Sequence, residues 1–76
     1  MIRAFVLIDA AAGMADAVCR TVRDTEGVLE AHVVAGDFDI VVELESEDPH
    51  DILTTVTSAI RPLEGVGTTR TYLCMD

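Results

Sequence analysis

The chain has 76 residues, of which 50% are hydrophobic, and a formal net charge of −9. This length suits one small domain and excludes a second. A core of this size supplies only about 3–5 kcal/mol, so small domains usually need a disulfide, a metal or a partner surface as well. We therefore do not expect a catalytic domain with a deep internal pocket.

Acidic residues dominate the charged side chains: there are 14 Asp and Glu residues against 5 basic residues, all of them Arg. Nucleic-acid binding requires basic side chains clustered against phosphates, and the scattered arginines predict no direct binding of this kind. So acidic a surface suits a high-salt cytoplasm, because high negative charge keeps it hydrated. The alternative is codon bias, since GC-rich genomes also replace Lys with Arg.

Neither a disulfide nor a metal site is expected to stabilise the domain. Cys19 and Cys74 are far apart and lack CxxC spacing. There is no secretory signal and no apolar run long enough to span a membrane, so we expect a cytoplasmic protein with reduced cysteines and no cofactor. His32 and His50 lack a nearby nucleophile–base arrangement, and we predict no catalytic residues and no enzyme activity. Oligomerisation remains as the expected source of stability.

The first half of the chain predicts a strand, a helix and a second strand. Ile2–Ile8 is apolar on both faces, which is typical of a strand buried on both sides. Apolar residues recur at helical spacing from about Ala11 to Thr25, and Gly27 follows where a helix stop is expected. Val28–Ala35 is the next predicted strand, and Gly36-Asp37 forms the tight turn of a hairpin.

The second half predicts the other hairpin strand, a second helix and a last strand. Phe38–Glu45 alternates apolar and polar residues, with four side chains directed inward (Phe38, Ile40, Val42 and Leu44). Asp48 caps a helix that ends near Pro62. One stripe of this helix is apolar: Ile52, Leu53, Val56, Ala59, Ile60 and Leu63. Thr68–Met75 is the last strand.

This β-α-β-β-α-β order predicts an α+β fold of ferredoxin-like type, a four-stranded antiparallel sheet with two helices on one face. The other face is then bare and carries Phe5, Leu7 and Val41. An apolar patch of this kind is rarely left in water. We therefore expect at least a homodimer, in which two sheets pack face to face.

Two features suit ligand binding better than they suit a strand. Asp39 begins a strand, where Asp is disfavoured, whereas the turn explains Asp37. Thr69 and Thr71 share one face of the last strand, and their hydroxyls can hydrogen-bond a small polar ligand. A carboxylate, two hydroxyls and free backbone groups at the Gly36 turn match the ammonium and carboxylate of an amino acid.

Three segments together resemble the C-terminal effector domain of the Lrp/AsnC regulators, known as the RAM domain. They are Gly27-Val28, Ala35-Gly36-Asp37-Phe38-Asp39 and Gly65-Val66-Gly67-Thr68-Thr69-Arg70-Thr71. In the family the turn is commonly G-D-Y-D, which is matched here with Phe38 as the aromatic residue. The terminal motif is similar to G-V-x-x-T-x-T. The resemblance covers the whole chain, and the order and spacing of the segments carry it.

The resemblance implies an amino-acid-sensing and oligomerisation module. Family members dimerise through their sheets and then form rings, with amino acids bound between dimers. Carried over by position, the ligand-binding residues are Gly36, Asp37, Asp39, Thr69 and Thr71. Regulators of the family also have an N-terminal helix-turn-helix domain with no counterpart in these residues, so the chain resembles the stand-alone form. Any effect on transcription is then expected to pass through a partner, such as a full-length Lrp/AsnC regulator.

Other classes of protein share this strand order. A small dimeric α/β-barrel enzyme of monooxygenase or isomerase type needs a polar group between its sheets, and His32 is the one candidate. The chain also has little aromatic surface for such a pocket. An ACT-like domain also binds amino acids but pairs its sheets side by side. A metal chaperone needs CxxC after the first strand, where this chain has Ala10-Ala11-Ala12-Gly13.

Overall fold

The computed structural model describes all 76 residues. Strand β1 spans Ile2–Ala10, helix α1 Ala15–Arg23, β2 Val28–Val33, β3 Ile40–Ser46, α2 Pro49–Thr55 and β4 Val66–Leu73, and a π-helical segment, Val56–Ile60, continues α2. The four strands form one antiparallel sheet in the order β2-β3-β1-β4. The predicted element order and ferredoxin-like architecture are therefore confirmed.

Alternation along the two central strands builds the core. On β1, Ala4, Val6 and Ile8 are fully buried, and β3 places Leu44, Val42 and Ile40 opposite them in register. The helices cover this face with six buried side chains: Val18, Cys19, Val22, Ile52, Val56 and Ile60. No buried side chain is polar or charged. Apolar burial therefore holds the helices on the sheet, and one hydrogen bond of 2.9 Å from Nε of Arg23 in α1 to the carbonyl of Ala31 in β2 adds to it.

Two residues predicted to face the core lie outside it. Phe38 precedes β3, in a bend that spans residues 35–39, so strand alternation does not extend back to it. Its ring lies instead on the opposite side of the sheet, beside Arg70. Leu53 is 48% exposed. The buried stripe of the second helix follows Ile52 at a spacing of four residues, and Leu53 is one helical step away from that stripe.

The predicted ends of the second helix are confirmed. The side chain of Asp48 accepts a hydrogen bond of 2.8 Å from the backbone N–H of His50, as an N-cap should. At the other end the N–H of Arg61 donates to the carbonyl of Val56 at 2.8 Å, which is the wider spacing of a π-helix, and Pro62 follows. No helix combines the length and the apolar character that crossing a membrane requires.

The second face of the sheet has no cover within the chain, as predicted. We call it the bare face; the residues on it include Arg3, Phe5, Leu7, Glu30, His32, Val41, Glu43, Glu45, Arg70 and Tyr72. Phe5 is 39% exposed and Tyr72 is 54% exposed. Arg3 forms an ion pair of 3.2 Å with Glu43 on this face. The bare face thus combines apolar surface with a few charged groups.

Candidate ligand site at the hairpin end of the sheet

An open groove of about 680 Å³ lies on the bare face, beside the hairpin that joins β2 to β3. Its lining residues are Leu7, Val34, Gly36, Asp37, Phe38, Val41, Arg70 and Tyr72. Small-molecule sites usually enclose about 300–1,000 Å³ and combine apolar walls with a few polar groups. The groove has this kind of lining, with one carboxylate and one guanidinium among its apolar side chains, and within one chain it is open to solvent.

Arg70 is held at the groove by the β4 register and by an aromatic ring. β4 places it opposite Leu7, and its guanidinium carbon lies 5.8 Å from the centre of the Phe38 ring. A cation at this distance is attracted to the ring face. Arg70 forms no salt bridge within the chain. Its N–H groups are therefore available for a carboxylate, which a guanidinium binds in a bidentate manner.

Asp39 lies at the end of the sheet and has a structural role there. Its Oδ2 accepts a hydrogen bond of 2.8 Å from the backbone N–H of Ala10, and its own N–H donates to the carbonyl of Ile8 at 2.9 Å. Between Ile8 and Ala10 the pairing of β1 with β4 shifts register at a bulge. The pairing of β1 with β3 ends at Ile8 and Ile40, so Ala10 lies beyond that ladder. The Asp39 carboxylate supplies the Ala10 N–H with an acceptor there, and this explains why Asp is accepted just before β3.

Asp9 is the single β1 residue opposite Gly67 and Thr68 at this bulge, and it places a second carboxyl group beside Asp39. Its pKa is raised above the ordinary value of 3.8 because its side chain shares a hydrogen bond with the Asp39 carboxyl; desolvation and the charge of Asp39 add to the effect. Gly67 of β4 passes close to this point. A Cβ there would lie 3.1 Å from the carbonyl oxygen of Asp9, so a larger residue would require a small shift between β1 and β4.

Within one chain the five predicted ligand-binding residues fall into three groups. Gly36 and Asp37 line the groove. Asp39 lies at the end of the sheet, bonded to the β1 backbone. Thr69 and Thr71 do share one face of β4, as predicted, but they pair with buried residues of β1 and are half-buried on the helix-covered side. The groove itself does not include Asp39, Thr69 or Thr71.

The sequence interpretation missed Arg70, Tyr72 and Asp9. The sequence did contain a signal for Arg70 and Tyr72. They alternate with Thr69 and Thr71 along β4, so their side chains lie on the opposite face of the sheet from the threonines, together with Leu7. The pairing of Asp9 with Asp39 carried no such signal. It depends on the register between β1 and β3, which is set by contacts between residues distant in sequence.

The other candidate polar residues lie outside the groove. His32 is on the outer strand β2, and its Nε2 lies 3.0 Å from Oε1 of Glu30, with both side chains 61% exposed. Cys19 is buried in α1, and Cys74 is half-buried just after β4; both are free thiols. No group of three or more His, Cys, Asp or Glu side chains is arranged to hold a metal ion.

The matches to curated relatives cover most of this chain but only part of each relative. A helix-turn-helix-type transcriptional regulator of Pyrococcus furiosus is 34% identical over 73 residues, which cover 92% of this chain and 49% of the regulator. The homocitrate synthase of Sulfurisphaera tokodaii is 37% identical over 59 residues, which cover 78% of this chain and 13% of the enzyme. The chain thus spans about half of the regulator and a small part of the enzyme.

Solved structures share the fold over nearly the whole chain. A protein of Thermus thermophilus is 33% identical and superposes with a TM-score of 0.96, over 100% of this chain and 95% of that one. A transcriptional regulator of Neisseria meningitidis, solved as a complex with L-Met, is 18% identical with a TM-score of 0.86, over 99% of this chain and 50% of that one. The sequence profile described as the Lrp/AsnC ligand binding domain matches residues 3–76. The chain therefore belongs to the Lrp/AsnC ligand-binding domain family.

Proposed function

We propose that the chain is an amino-acid-sensing and oligomerisation module that modulates transcription through a partner. The groove carries this proposal, because it places the carboxylate of Asp37 and the guanidinium of Arg70 beside apolar side chains. An amino acid offers an ammonium, a carboxylate and a side chain to these three kinds of surface. The L-Met complex of the related Neisseria regulator supports an effector of this class.

Asp39, Thr69 and Thr71 remain proposed members of the same site. They lie on surfaces outside the groove of their own chain, so they would contact the effector from a neighbouring subunit. Oδ2 of Asp39 is bonded to the Ala10 N–H, and the carboxyl group of Asp9 lies beside it, so an ammonium there would meet two carboxyl groups. The site is then completed by assembly, which couples effector binding to oligomeric state.

The bare face supplies the proposed dimer contact. Phe5, Leu7 and Tyr72 form an apolar surface there that no element of the chain covers. Burial of apolar surface contributes roughly 25 cal/mol per Å², so packing two such faces together offsets the small core of the monomer. Two sheets packed in this way form an α/β barrel-like dimer, from which a larger ring can grow.

A partner regulator is proposed to supply DNA recognition. Of the five arginines, Arg3 is paired with Glu43, Arg23 donates to a backbone carbonyl and Arg70 lies over an aromatic ring. The remaining basic groups form no cluster for phosphates, and the net charge of −9 opposes approach to DNA. A full-length Lrp/AsnC regulator, which has the same type of effector domain, is the proposed partner.

A thermal-shift screen of the twenty amino acids, at high salt, tests the sensing function. A ligand at ten times its Kd stabilises the folded form by about 1.4 kcal/mol, which corresponds to roughly 6–11 °C in Tm for a domain of this size. Calorimetric titration of the amino acid found, into Asp37→Asn and Arg70→Gln, should show affinity reduced about ten- to a hundredfold.

Matched variants keep this experiment specific. Asp76→Asn and Arg61→Gln remove the same charges at exposed positions outside the groove and should bind like wild type. Thr69→Val and Thr71→Val should weaken binding less than the charged variants, because each removes only a neutral hydroxyl. If no amino acid raises Tm, or if all four site variants bind like wild type, the sensing proposal is wrong and a purely structural oligomerisation role remains.

A further inference from the structure

Two groups of opposite charge line the groove without pairing inside the chain. Asp37 and Arg70 are both lining residues, and neither forms a salt bridge with the other or with any third residue. In the proposed function they bind the ammonium and the carboxylate of an amino acid. Both charges are then used, and no other charged side chain lines the groove. The side chain of the effector therefore meets only uncharged groups.

The uncharged part of the lining is mostly apolar. Its five hydrophobic members are Leu7, Val34, Phe38, Val41 and Tyr72. Within one chain Val34 is 38% exposed and Tyr72 is 54% exposed. Covering such surface is favourable, because apolar groups are thereby removed from water. An effector with an apolar side chain gains this stabilisation, whereas an effector with a polar side chain leaves its own hydrogen-bonding groups without partners in the groove.

Val34 contributes to the groove from the hairpin, and its side chain is not needed by the core. Its backbone N–H donates to the carbonyl of Asp39 at 2.8 Å, which holds the main chain there whatever side chain is present. Its side chain is outside the buried core. The preceding residue, Val33, pairs with the buried Ile40 and so lies on the helix side of the sheet. Val34 is therefore a position where the chemistry of the groove can change while the fold is kept.

We propose, on the basis of the sensing function above, that the effector is an amino acid with a large apolar side chain and that Val34 sets this selectivity. A charged side chain in the groove would lie among apolar groups without an opposite charge, which is strongly unfavourable. An acidic amino acid is also repelled by the net charge of −9. A small side chain, such as that of alanine, leaves the apolar walls of the groove of about 680 Å³ in contact with water.

Calorimetric titration of the wild-type chain at high salt tests the class of effector. Each buried methylene group strengthens binding about fourfold, so the better of leucine and phenylalanine should bind about ten- to sixtyfold more tightly than alanine. Glutamine, lysine and glutamate should also bind at least about tenfold more weakly than that amino acid, because their polar groups lack partners. If any of these four binds as tightly as leucine or phenylalanine, this proposal is wrong while the sensing function stands. If none of the twenty amino acids binds, both are wrong.

A charge introduced at Val34 tests whether this residue sets the selectivity. Val34 takes no part in the proposed dimer contact, so its variants leave that contact intact. Val34→Lys supplies a partner for an acidic side chain and should raise the affinity for glutamate relative to leucine at least about tenfold; Val34→Asp should do the same for lysine. Val33→Asp adds a charge on the helix side of the sheet and should keep the wild-type ratios of affinity. Wild-type ratios in a folded Val34 variant overturn the assignment of Val34, and if one of the two variants fails to fold the other decides.

Discussion

The carboxylate of Asp39 accepts a hydrogen bond of 2.8 Å from the backbone N–H of Ala10 and so ties the start of β3 to the end of β1. Asp39 belongs to the segment that resembles the family turn motif and is also a proposed ligand contact. The structure therefore gives this residue a fold-stabilising role beside the proposed binding role. Substitutions that keep one role and remove the other can separate them.

Asp39→Asn is the substitution that separates these roles. The amide oxygen can still accept from Ala10, so we expect the Tm to stay close to wild type, whereas Asp39→Ala loses the bond and about 0.5–1.5 kcal/mol of stability. Both variants lose the charge that would hold an ammonium, and the affinity for the effector should fall about ten- to a hundredfold in each. Wild-type affinity in a folded Asp39→Asn chain would show that Asp39 is structural only.

Asp9→Asn should change how stability depends on pH. The pKa of Asp9 is raised in the folded chain by its hydrogen bond with Asp39, so the folded form binds this proton more tightly than the unfolded form does. The stabilisation is complete below the unfolded pKa and is lost as pH rises through the raised folded pKa. Asn keeps a donor for Asp39 at every pH. The variant should therefore melt above wild type near pH 7, and this difference should shrink as the pH falls through the raised pKa of Asp9 and be smallest below the ordinary value of 3.8.

The exposed residue Asp76 provides the control for this experiment. Asp76→Asn removes the same charge from the −9 chain without touching the carboxyl pair. Its difference in Tm from wild type should not follow the pH profile of Asp9→Asn. A Tm difference for Asp9→Asn that stays constant from neutral pH down to the ordinary pKa of 3.8 would contradict the assignment of a shared proton.

Charge placed on the bare face should disrupt face-to-face association. Phe5→Asp or Leu7→Asp puts an unpaired carboxylate into a desolvated contact, which is strongly unfavourable. Leu53→Asp is the matched control, because Leu53 is 48% exposed on the helix side of the molecule. Light scattering should show a lower mass for the first two variants and the wild-type mass for the control. A wild-type chain that is monomeric at micromolar concentration would count against the dimer.

Duplex DNA should not bind to the isolated chain at moderate salt. The reason is electrostatic: the chain has a net charge of −9, and its arginines form no basic stripe. A gel-shift or anisotropy titration with the purified protein checks this, and addition of the proposed partner regulator should restore binding. Retardation of DNA by the chain alone, free of contaminating regulator, would contradict the proposal that a partner regulator supplies DNA recognition.

The helix cap at Asp48 gives a test of local structure. Its side chain accepts from the N–H of His50 at 2.8 Å, and the residue is not part of the groove. Asp48→Ala should lower stability by about 0.5–2 kcal/mol, seen as a lower Tm, because an orphan N–H loses its partner. Affinity for the effector should not change. Asp48→Ser, which retains a capping oxygen, should recover most of the loss.

Local sequence pattern determined the elements of this protein and their order. Alternation predicted the buried residues of β3 apart from Phe38, Asp48 and Pro62 marked the ends of the second helix, and the apolar side chains of Phe5 and Leu7 indicated an apolar second face. Each of these signals depends on neighbours within one strand or one helical turn. For the same reason the resemblance of short segments was enough to indicate the family that the sequence profile later confirmed.

Tertiary structure alone decided how the candidate site is arranged. The bulge opposite Asp9, the bond from Ala10 to Asp39 and the position of Phe38 against Arg70 all involve residues that are distant in sequence. Their geometry depends on inter-strand register and on where β3 begins, neither of which a local pattern contains. The threonines illustrate the difference: alternation correctly put Thr69 and Thr71 on one face, but only pairing of β4 with β1 showed that this face is covered by the helices.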